Sequence, residues 1–236
     1  MAVSAVQFQT GLRMPVEAMA ELCHRHGAQL FVDGIQAVGA VPIDARTVDY
    51  LTVGSHKWLM GLEGCGFLYV HPERIGALQP RMAGWLSHQD GLGFLFDGAG
   101  HLRYDRPVLK QARFLEAGAY NTVGFEALRA STAMIKDLGV SNIFAHVTAY
   151  IDQLEAGLQG LGFTSLRATA PAGRSAILSL SPPNGVDLIA LTAAINARGV
   201  AVTMPDGRLR IAPHWPNAID EVSLVCAVVD EALRSI

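Results

Sequence analysis

The strongest constraint on this fold is an alternation of short apolar segments with helix-like segments in the first 70 residues. Residues 2–8, 30–32, 51–53 and 66–70 each predict a short strand, and residues 15–26 predict a helix with apolar side chains at helical spacing. Short apolar strands separated by helices are typical of a parallel sheet with both faces covered. The fold class that follows is α/β, with a mainly parallel sheet.

The second half of the chain predicts a small α+β domain. Its predicted elements are, in order, two long helices, a strand, a helix, two strands and a final helix: residues 122–138, 140–161, 176–180, 186–198, 201–204, 209–212 and 218–234. We therefore predict two domains, residues 1–130 and residues 131–236, with the boundary inside a helix.

A long segment between the two halves, residues 79–113, is rich in glycine and aromatic residues and shows little periodicity. We predict a loop, and long loops inside compact domains are often functional. His88 and His101 flank its centre, and Trp85 is a candidate for lining a substrate entrance or anchoring the loop.

Composition excludes several classes of protein. Eighteen basic and 21 acidic residues give a formal net charge of -3 without a basic stripe, so binding to nucleic acid is not expected. Half of the residues are apolar, which excludes intrinsic disorder. Three scattered cysteines predict neither a disulfide framework nor a metal site. With no membrane-length apolar run and no signal peptide, we expect a cytoplasmic protein without membrane association.

Lys57 and Asp33 are the candidate functional residues that the predicted sheet brings together. Each follows the C-terminal end of an apolar strand, where the ligand sites of open α/β sheets lie. They are 24 residues apart, which leaves room for one connection between two strands of the same sheet. The other two lysines, Lys110 and Lys136, lie in polar surroundings that are typical of surface charges. We expect the amine of Lys57 and the carboxylate of Asp33 to face one pocket.

A lysine and an aspartate at neighbouring strand ends suit pyridoxal 5'-phosphate (PLP). This cofactor needs a lysine for its Schiff base and a carboxylate that keeps its ring nitrogen protonated. Ser55 and His56 are candidate donors to the phosphate, and Gln36 is a candidate partner for the phenolic oxygen. On spacing alone, a surface lysine and an unrelated turn aspartate remain the alternative.

Two motifs around these residues resemble the signature segments of the class V aminotransferases. These are fold-type I PLP enzymes, and the family also contains cysteine desulfurases and isopenicillin N epimerase-like proteins. Residues 31–36 read FVDGIQ and residues 54–58 read GSHKW, in the order and spacing of the family. The resemblance implies that Lys57 forms the Schiff base and that Asp33 pairs with the pyridinium nitrogen.

The same resemblance assigns the smaller contacts to the cofactor. It implies Gln36 at the phenolic oxygen and His56, together with Ser55, near the phosphate. Many members carry serine where this chain has Gly54, so the phosphate contacts depart from the family pattern here.

A third segment, residues 209–217, reads LRIAPHWPN and resembles the family segment in which an arginine binds the substrate α-carboxylate. Guanidinium groups suit this task because they pair with carboxylates through two parallel hydrogen bonds. The resemblance therefore implies Arg210 as the substrate-binding residue, with Arg208 as its competitor.

A fourth segment, residues 116–121, reads EAGAYN and resembles the family segment that reaches the cofactor phosphate of the other subunit. The family often has threonine where this chain has Ala119. The contact is either lost in this chain or supplied by Asn121, to which we assign it, or by Tyr120 or Thr122. The resemblance implies a homodimer with shared active sites.

The resemblance implies a PLP-dependent enzyme that acts on a small-molecule amino acid. Transamination, β-elimination at a C–S bond and epimerisation share one carbanion intermediate, and the sequence does not choose among them. Cysteine desulfurases need a mobile nucleophilic cysteine shortly before the carboxylate-binding arginine, and residues 202–209 contain none. Formation of a persulfide is therefore not expected.

The resemblance covers nearly all of this chain but only about the last three-fifths of a typical member. The missing portion carries the phosphate-binding turn and the residue that stacks on the cofactor ring in the family. One interpretation is an N-terminally truncated enzyme. The alternatives are a non-catalytic remnant that binds PLP or a partner protein without turnover, and a plain α/β domain without a cofactor.

Overall fold

The computed structural model describes residues 1–98 and 105–236. Its first part contains a four-stranded sheet and three helices. The strands are β1 (Ala2–Ser4), β2 (Phe31–Asp33), β3 (Tyr50–Gly54) and β4 (Gly66–Val70). The helices are α1 (Val16–Arg25), α2 (Pro72–Ile75) and α3 (Gly91–Phe96).

The first sheet has the strand order β1-β2-β3-β4. The first three strands are parallel, and β4 pairs antiparallel with β3. The helix α1 makes the crossover from β1 to β2, which parallel pairing requires. The predicted fold class, α/β with a mainly parallel sheet, is confirmed.

The second part contains four helices and a three-stranded antiparallel sheet of strand order β5-β6-β7. The helices are α4 (Thr122–Leu138), α5 (Val140–Gly160), α6 (Leu188–Ala197) and α7 (Glu221–Ser235). The strands are β5 (Thr164–Ser165), β6 (Leu178–Ser181) and β7 (Leu209–Ile211).

The apolar core is continuous across the two parts. Val32 and Val53 of the first sheet belong to the same buried cluster as Ile151 of α5 and Leu178 of β6. The predicted boundary at residue 130 lies inside α4. The division into residues 1–130 and 131–236 stays a prediction, since each part has its own sheet while the core is shared.

Two predicted strands differ from the structure. The first strand ends at Ser4 rather than at residue 8, because the chain folds back there and Val6 pairs with Arg13. Residues 201–204 form no strand and make only one bridge, from Thr203 to Arg210. Pro205 follows, and proline has no backbone N–H with which to extend the pairing.

The predicted loop at residues 79–113 is wrong for its central part, where Gly91–Phe96 forms the short helix α3. Asp90 caps this helix by accepting a hydrogen bond from the Gly93 N–H. An aspartate at this position is a local helix-start signal, but the segment lacks the apolar periodicity that predicts a helix. His101 lies outside the described residues.

Several large apolar side chains of the first sheet face solvent. Phe31 of β2 and Phe67 and Leu68 of β4 are each about two-fifths exposed. Exposed apolar surface of this kind is typical of contact surfaces. No helix among the described residues has both the length and the apolar character needed to cross a membrane.

Candidate active site

Asp33 and Lys57 lie at the same edge of the first sheet. Asp33 ends β2, and Lys57 follows the last residue of β3, Gly54, by three positions. Because β2 and β3 are adjacent and parallel, their C-terminal ends meet at this edge. The 24-residue spacing therefore corresponds to one connection between neighbouring strands, as the sequence predicts.

Lys57 is held on a tight turn between β3 and β4. The backbone N–H of Gly61 donates to the carbonyl of Ser55 at 2.8 Å, and that of Met60 donates to the carbonyl of Lys57 at 3.0 Å. The hydroxyl of Ser55 donates to the Leu62 carbonyl at 2.6 Å and is fully buried. Ser55 thus closes the turn, and the structure does not bring its hydroxyl into the pocket of Lys57.

A cavity of about 290 Å³ lies beside the Lys57 amine. Its lining comes from both sheets and from the segments that follow them: Phe8, Gln36, Lys57, Trp58, Arg210, Ala212 and His214. Burial lowers the pKa of Lys57, the positive charge of Arg210 lowers it further, and the negative charge of Asp33 partly offsets both effects. The effect of Asp33 on Lys57 is Coulombic, and among the described residues no ion pair joins their side chains.

Arg210 reaches the cavity from β7, and Phe8 orients it. The Arg210 Nε donates to the carbonyl of Phe8 at 2.8 Å, and its Cζ lies 4.5 Å above the centre of the Phe8 ring. Burial lowers the pKa of Arg210. Among the described residues nothing hydrogen-bonds its two Nη groups, which leaves them available to a carboxylate. Arg208 instead donates to the hydroxyl of Ser181 and does not line the cavity.

Two polar groups near Lys57 keep free hydrogen-bonding capacity. Gln36 is 5% exposed and lines the cavity, and its amide has no hydrogen-bond partner within the described part of the chain. Asp33 accepts one hydrogen bond at Oδ1, from the Ile35 N–H at 3.0 Å, while Oδ2 accepts none from a described residue. These atoms are therefore available to a bound polar ligand.

The remaining sequence candidates lie apart from this cavity. His56 is exposed beside Lys57. Asn121 caps α4 by accepting from the Gly124 N–H at 3.0 Å, and its Nδ2 lies 3.3 Å from the sulfur of Cys65. His88 bonds to the Arg106 carbonyl at 2.6 Å. The structure therefore does not bring Asn121 or His88 to Lys57, and their roles stay predictions.

Sequence reasoning missed two aromatic contributors, Phe8 and His214. His214 stacks on Trp58, with ring centres 5.0 Å apart and an angle of 21° between the planes. Burial lowers the pKa of His214, and a hydrogen bond to the Trp58 carbonyl opposes this shift. The signal was present in the sequence, because His214 belongs to the same LRIAPHWPN segment as Arg210.

A second polar centre lies at the opposite edge of the first sheet. Asp49 precedes β3 and is buried, and it accepts hydrogen bonds from the Leu30 N–H at 2.6 Å, Arg74 Nε at 2.6 Å and His24 Nε2 at 3.0 Å. Burial raises the pKa of Asp49, but these three hydrogen bonds outweigh that effect and lower it to about 2. The arrangement joins α1, α2 and the sheet.

Comparisons with known proteins place this architecture in a family. The model described as aminotransferase class V matches residues 1–209. An uncharacterized aminotransferase, YcbU of Bacillus subtilis, is 30% identical over 93% of this chain and 56% of that protein. A probable cysteine desulfurase of Methanothermobacter thermautotrophicus is 26% identical over 97% of this chain and 59% of its own length. The chain thus spans less than two thirds of the curated relatives it matches.

Solved structures agree with the fold. A cysteine desulfurase of Thermococcus onnurineus superposes with a TM-score of 0.86 at 21% identity, over 100% of this chain and 60% of that one. The cystine C–S lyase C-DES, solved with its product cysteine persulfide, gives 0.82 at 23% identity over 97% of this chain and 60% of its own. A C-DES variant carries glycine covalently linked to its PLP cofactor.

The predicted family and the predicted cofactor of that family, PLP, are confirmed by these matches. Since the family model covers residues 1–209 of 236, this chain belongs to the class V aminotransferase family.

Proposed function

We propose that this chain carries the lysine-bearing part of a PLP-dependent active site that acts on a small-molecule amino acid. The observation that supports this most directly is the convergence of Lys57 and Arg210, 153 residues apart in sequence, on one cavity with Gln36. A surface lysine would not require a partly buried arginine and a glutamine without a side-chain partner beside it.

The polar groups in the cavity, Gln36 and Lys57, and those near it, Asp33 and His56, fit the cofactor. Bound PLP supplies an electron-withdrawing ring that stabilises negative charge on the α-carbon of an amino acid. Asp33 has a carboxylate oxygen free to hold a proton at a ring nitrogen, and Gln36 has a free amide for a phenolic oxygen. Lys57 provides the amine for covalent attachment, and its lowered pKa favours the unprotonated form that accepts a proton. His56 is the proposed phosphate contact.

Arg210 provides the proposed contact to the substrate. Its Nε is already fixed by Phe8, so the guanidinium is oriented before a substrate arrives, and its Nη groups can pair with an α-carboxylate. Pre-orientation lowers the entropy cost of binding. Arg208 is the weaker candidate because its side chain is engaged with Ser181.

The reaction that we propose is transamination, β-elimination at a C–S bond or epimerisation, without a persulfide on a loop cysteine. Cys23 and Cys65 are buried, Cys226 lies on α7, and none of them lines the cavity of Lys57. No cysteine side chain therefore lies beside Lys57 to act as a nucleophile, although several relatives are named as cysteine desulfurases.

A homodimer is part of the proposal. The N-terminal end of α4 exposes Val123 and Phe125, and Tyr120 just before it is also exposed. Exposed apolar side chains next to the EAGAYN segment support a contact with a second copy at this place. Light scattering on the purified chain measures its mass, and a monomer at all concentrations tested would contradict this part.

The experiment that tests the central proposal is trapping of the cofactor on a lysine. The purified chain is incubated with PLP and reduced with borohydride, and the modified peptide is identified by mass spectrometry. We expect the pyridoxyl group on Lys57. The Lys57→Ala variant is expected to lose this adduct and keep its circular dichroism spectrum, because the role of the lysine is chemical.

Lys136→Ala is the matched control, since Lys136 is exposed on α4 far from the cavity. An adduct that persists in Lys57→Ala would contradict the assignment of Lys57. An adduct on Lys57 without turnover of any amino acid would favour the alternative function, a remnant that binds PLP or a partner protein without catalysis.

A further inference from the structure

The contact between His214 and Trp58 connects the C-terminal part of the chain with the turn that carries Lys57. His214 follows β7 by three residues, and Trp58 is the neighbour of Lys57 in sequence. Their rings stack with centres 5.0 Å apart, and His214 Nε2 lies 3.3 Å from the Trp58 carbonyl oxygen. Trp58 is 4% exposed, so this contact forms an inner wall of the cavity.

The hydrogen bonds of His214 define the state of its ring. The Trp215 N–H donates to His214 Nδ1 at 3.0 Å, so Nδ1 acts as an acceptor and carries no proton. The proton then resides on Nε2, which faces the Trp58 carbonyl. Both nitrogens are used by the neutral ring, and burial favours the same neutral form.

The turn that contains His214 is fixed from its other side. The His214 N–H donates to Asn217 Oδ1 at 2.9 Å, and His146 of α5 bonds through Nε2 to the Asn217 carbonyl at 2.9 Å. These hydrogen bonds fix the turn, and the turn holds the ring of His214 against Trp58. On the Lys57 side, Trp58 is followed by a turn whose Met60 has a positive φ of 54°, a strained conformation that persists only while the surrounding contacts hold it.

We propose that His214 is a positioning residue that holds Trp58, and through it Lys57, in the cavity. The inference rests on the proposed function for its purpose, since a fixed Lys57 amine is what a covalent cofactor requires. The stacked ring is the main contact. The hydrogen bond to the Trp58 carbonyl is secondary, because 3.3 Å lies at the long end of the range for such bonds.

The consequence can be measured on Lys57 itself, without PLP. Lys57 is surrounded by Arg210 from β7, Asp33 from β2 and the adjacent His56, and burial lowers its pKa. If the stack is lost, the turn relaxes and the amine moves towards water, so its pKa rises. Competitive acetylation with trace acetic anhydride across pH 7–11, read by mass spectrometry, gives the labelling midpoint of each lysine.

We expect His214→Ala to move the Lys57 midpoint to higher pH, and His214→Phe, which keeps an aromatic ring, to leave it near that of the wild type. Lys110 and Lys136 are internal controls whose midpoints stay constant. His146→Ala is the matched variant, because it loosens the same turn without touching Trp58. Should His214→Ala not fold, His214→Leu is compared with His214→Phe in its place.

An unchanged Lys57 midpoint in a folded His214→Ala or His214→Leu variant would overturn the proposal. So would an equal shift in His146→Ala, which would indicate general loosening. Failure of the borohydride experiment would count against the proposed function alone, because the acetylation profile does not involve the cofactor.

Discussion

The Asp49 centre allows a stability prediction with a defined size. Asp49 is buried and its pKa is lowered from 3.8 to about 2 by three hydrogen bonds that outweigh the effect of burial. Each pKa unit corresponds to about 1.4 kcal/mol of differential stabilisation, so the ionised carboxylate contributes about 2 kcal/mol to the free energy of unfolding at pH 7. We expect Asp49→Asn to lose about this amount, since the amide is neutral and keeps only one acceptor oxygen.

The sign of the pH dependence follows from the lowered pKa. The contribution is fully present above the unfolded pKa of 3.8 and is lost as the pH falls towards 2. Urea unfolding at pH 7, 5 and 3.5 measures the free energies of both proteins. The gap between wild type and Asp49→Asn is expected to be constant from pH 7 to 5 and smaller at pH 3.5.

Asp44→Asn is the matched control, because Asp44 also accepts hydrogen bonds from an arginine but lies exposed at the surface. We expect it to change the unfolding midpoint little, as exposed ion pairs contribute little. Two results would contradict this role of Asp49: an Asp49→Asn variant no more destabilised than Asp44→Asn, or a loss of stability that does not shrink at pH 3.5.

Three further predictions concern the cavity and the turn. Arg210→Ala is expected to weaken amino-acid binding about tenfold or more, measured by calorimetry on the PLP-loaded chain. Arg208→Ala is expected to leave the affinity unchanged, and the reverse result would assign the carboxylate to Arg208. Asp33→Asn is expected to keep bound PLP, read from its absorbance, but to lose turnover, and normal turnover would remove Asp33 from its role. Ser55→Ala leaves the Leu62 carbonyl without its donor, so urea unfolding is expected to show a loss of about 1–2 kcal/mol; an unchanged midpoint would contradict this.

The sequence predicted most of the long elements because their signals are local. The helix predicted for residues 122–138 has the bounds of α4, and residues 66–70 form β4 as predicted. Apolar periodicity and the flanking glycine are sufficient for such segments. The antiparallel direction of β4 had no local signal, since it depends on the short turn that carries Lys57 rather than on the residues of the strand.

The candidate site was predicted in part. The placement of Asp33 near Lys57 follows from strand order, and Arg210 follows from a motif. The contacts that orient Arg210, however, come from Phe8, 202 residues earlier. Hydrophobic periodicity describes residues close in sequence, so it gives no sign of a contact between residues so far apart. Ser55 shows the opposite case, where a residue in a signature motif is engaged by a backbone carbonyl and turned away from the pocket.

The bonds that join residues 8–11 to the second sheet affect how the chain folds in time. Ser175 and Ser179 donate to the carbonyls of Gly11 and Gln9, each at 2.6 Å, and Arg210 donates to Phe8. Contacts of such long sequence separation slow folding. At a synthesis rate of roughly 5–20 residues per second, Arg210 emerges about 10–40 s after Phe8. On the ribosome the segment that follows β1 therefore waits without these partners until Arg210 has emerged.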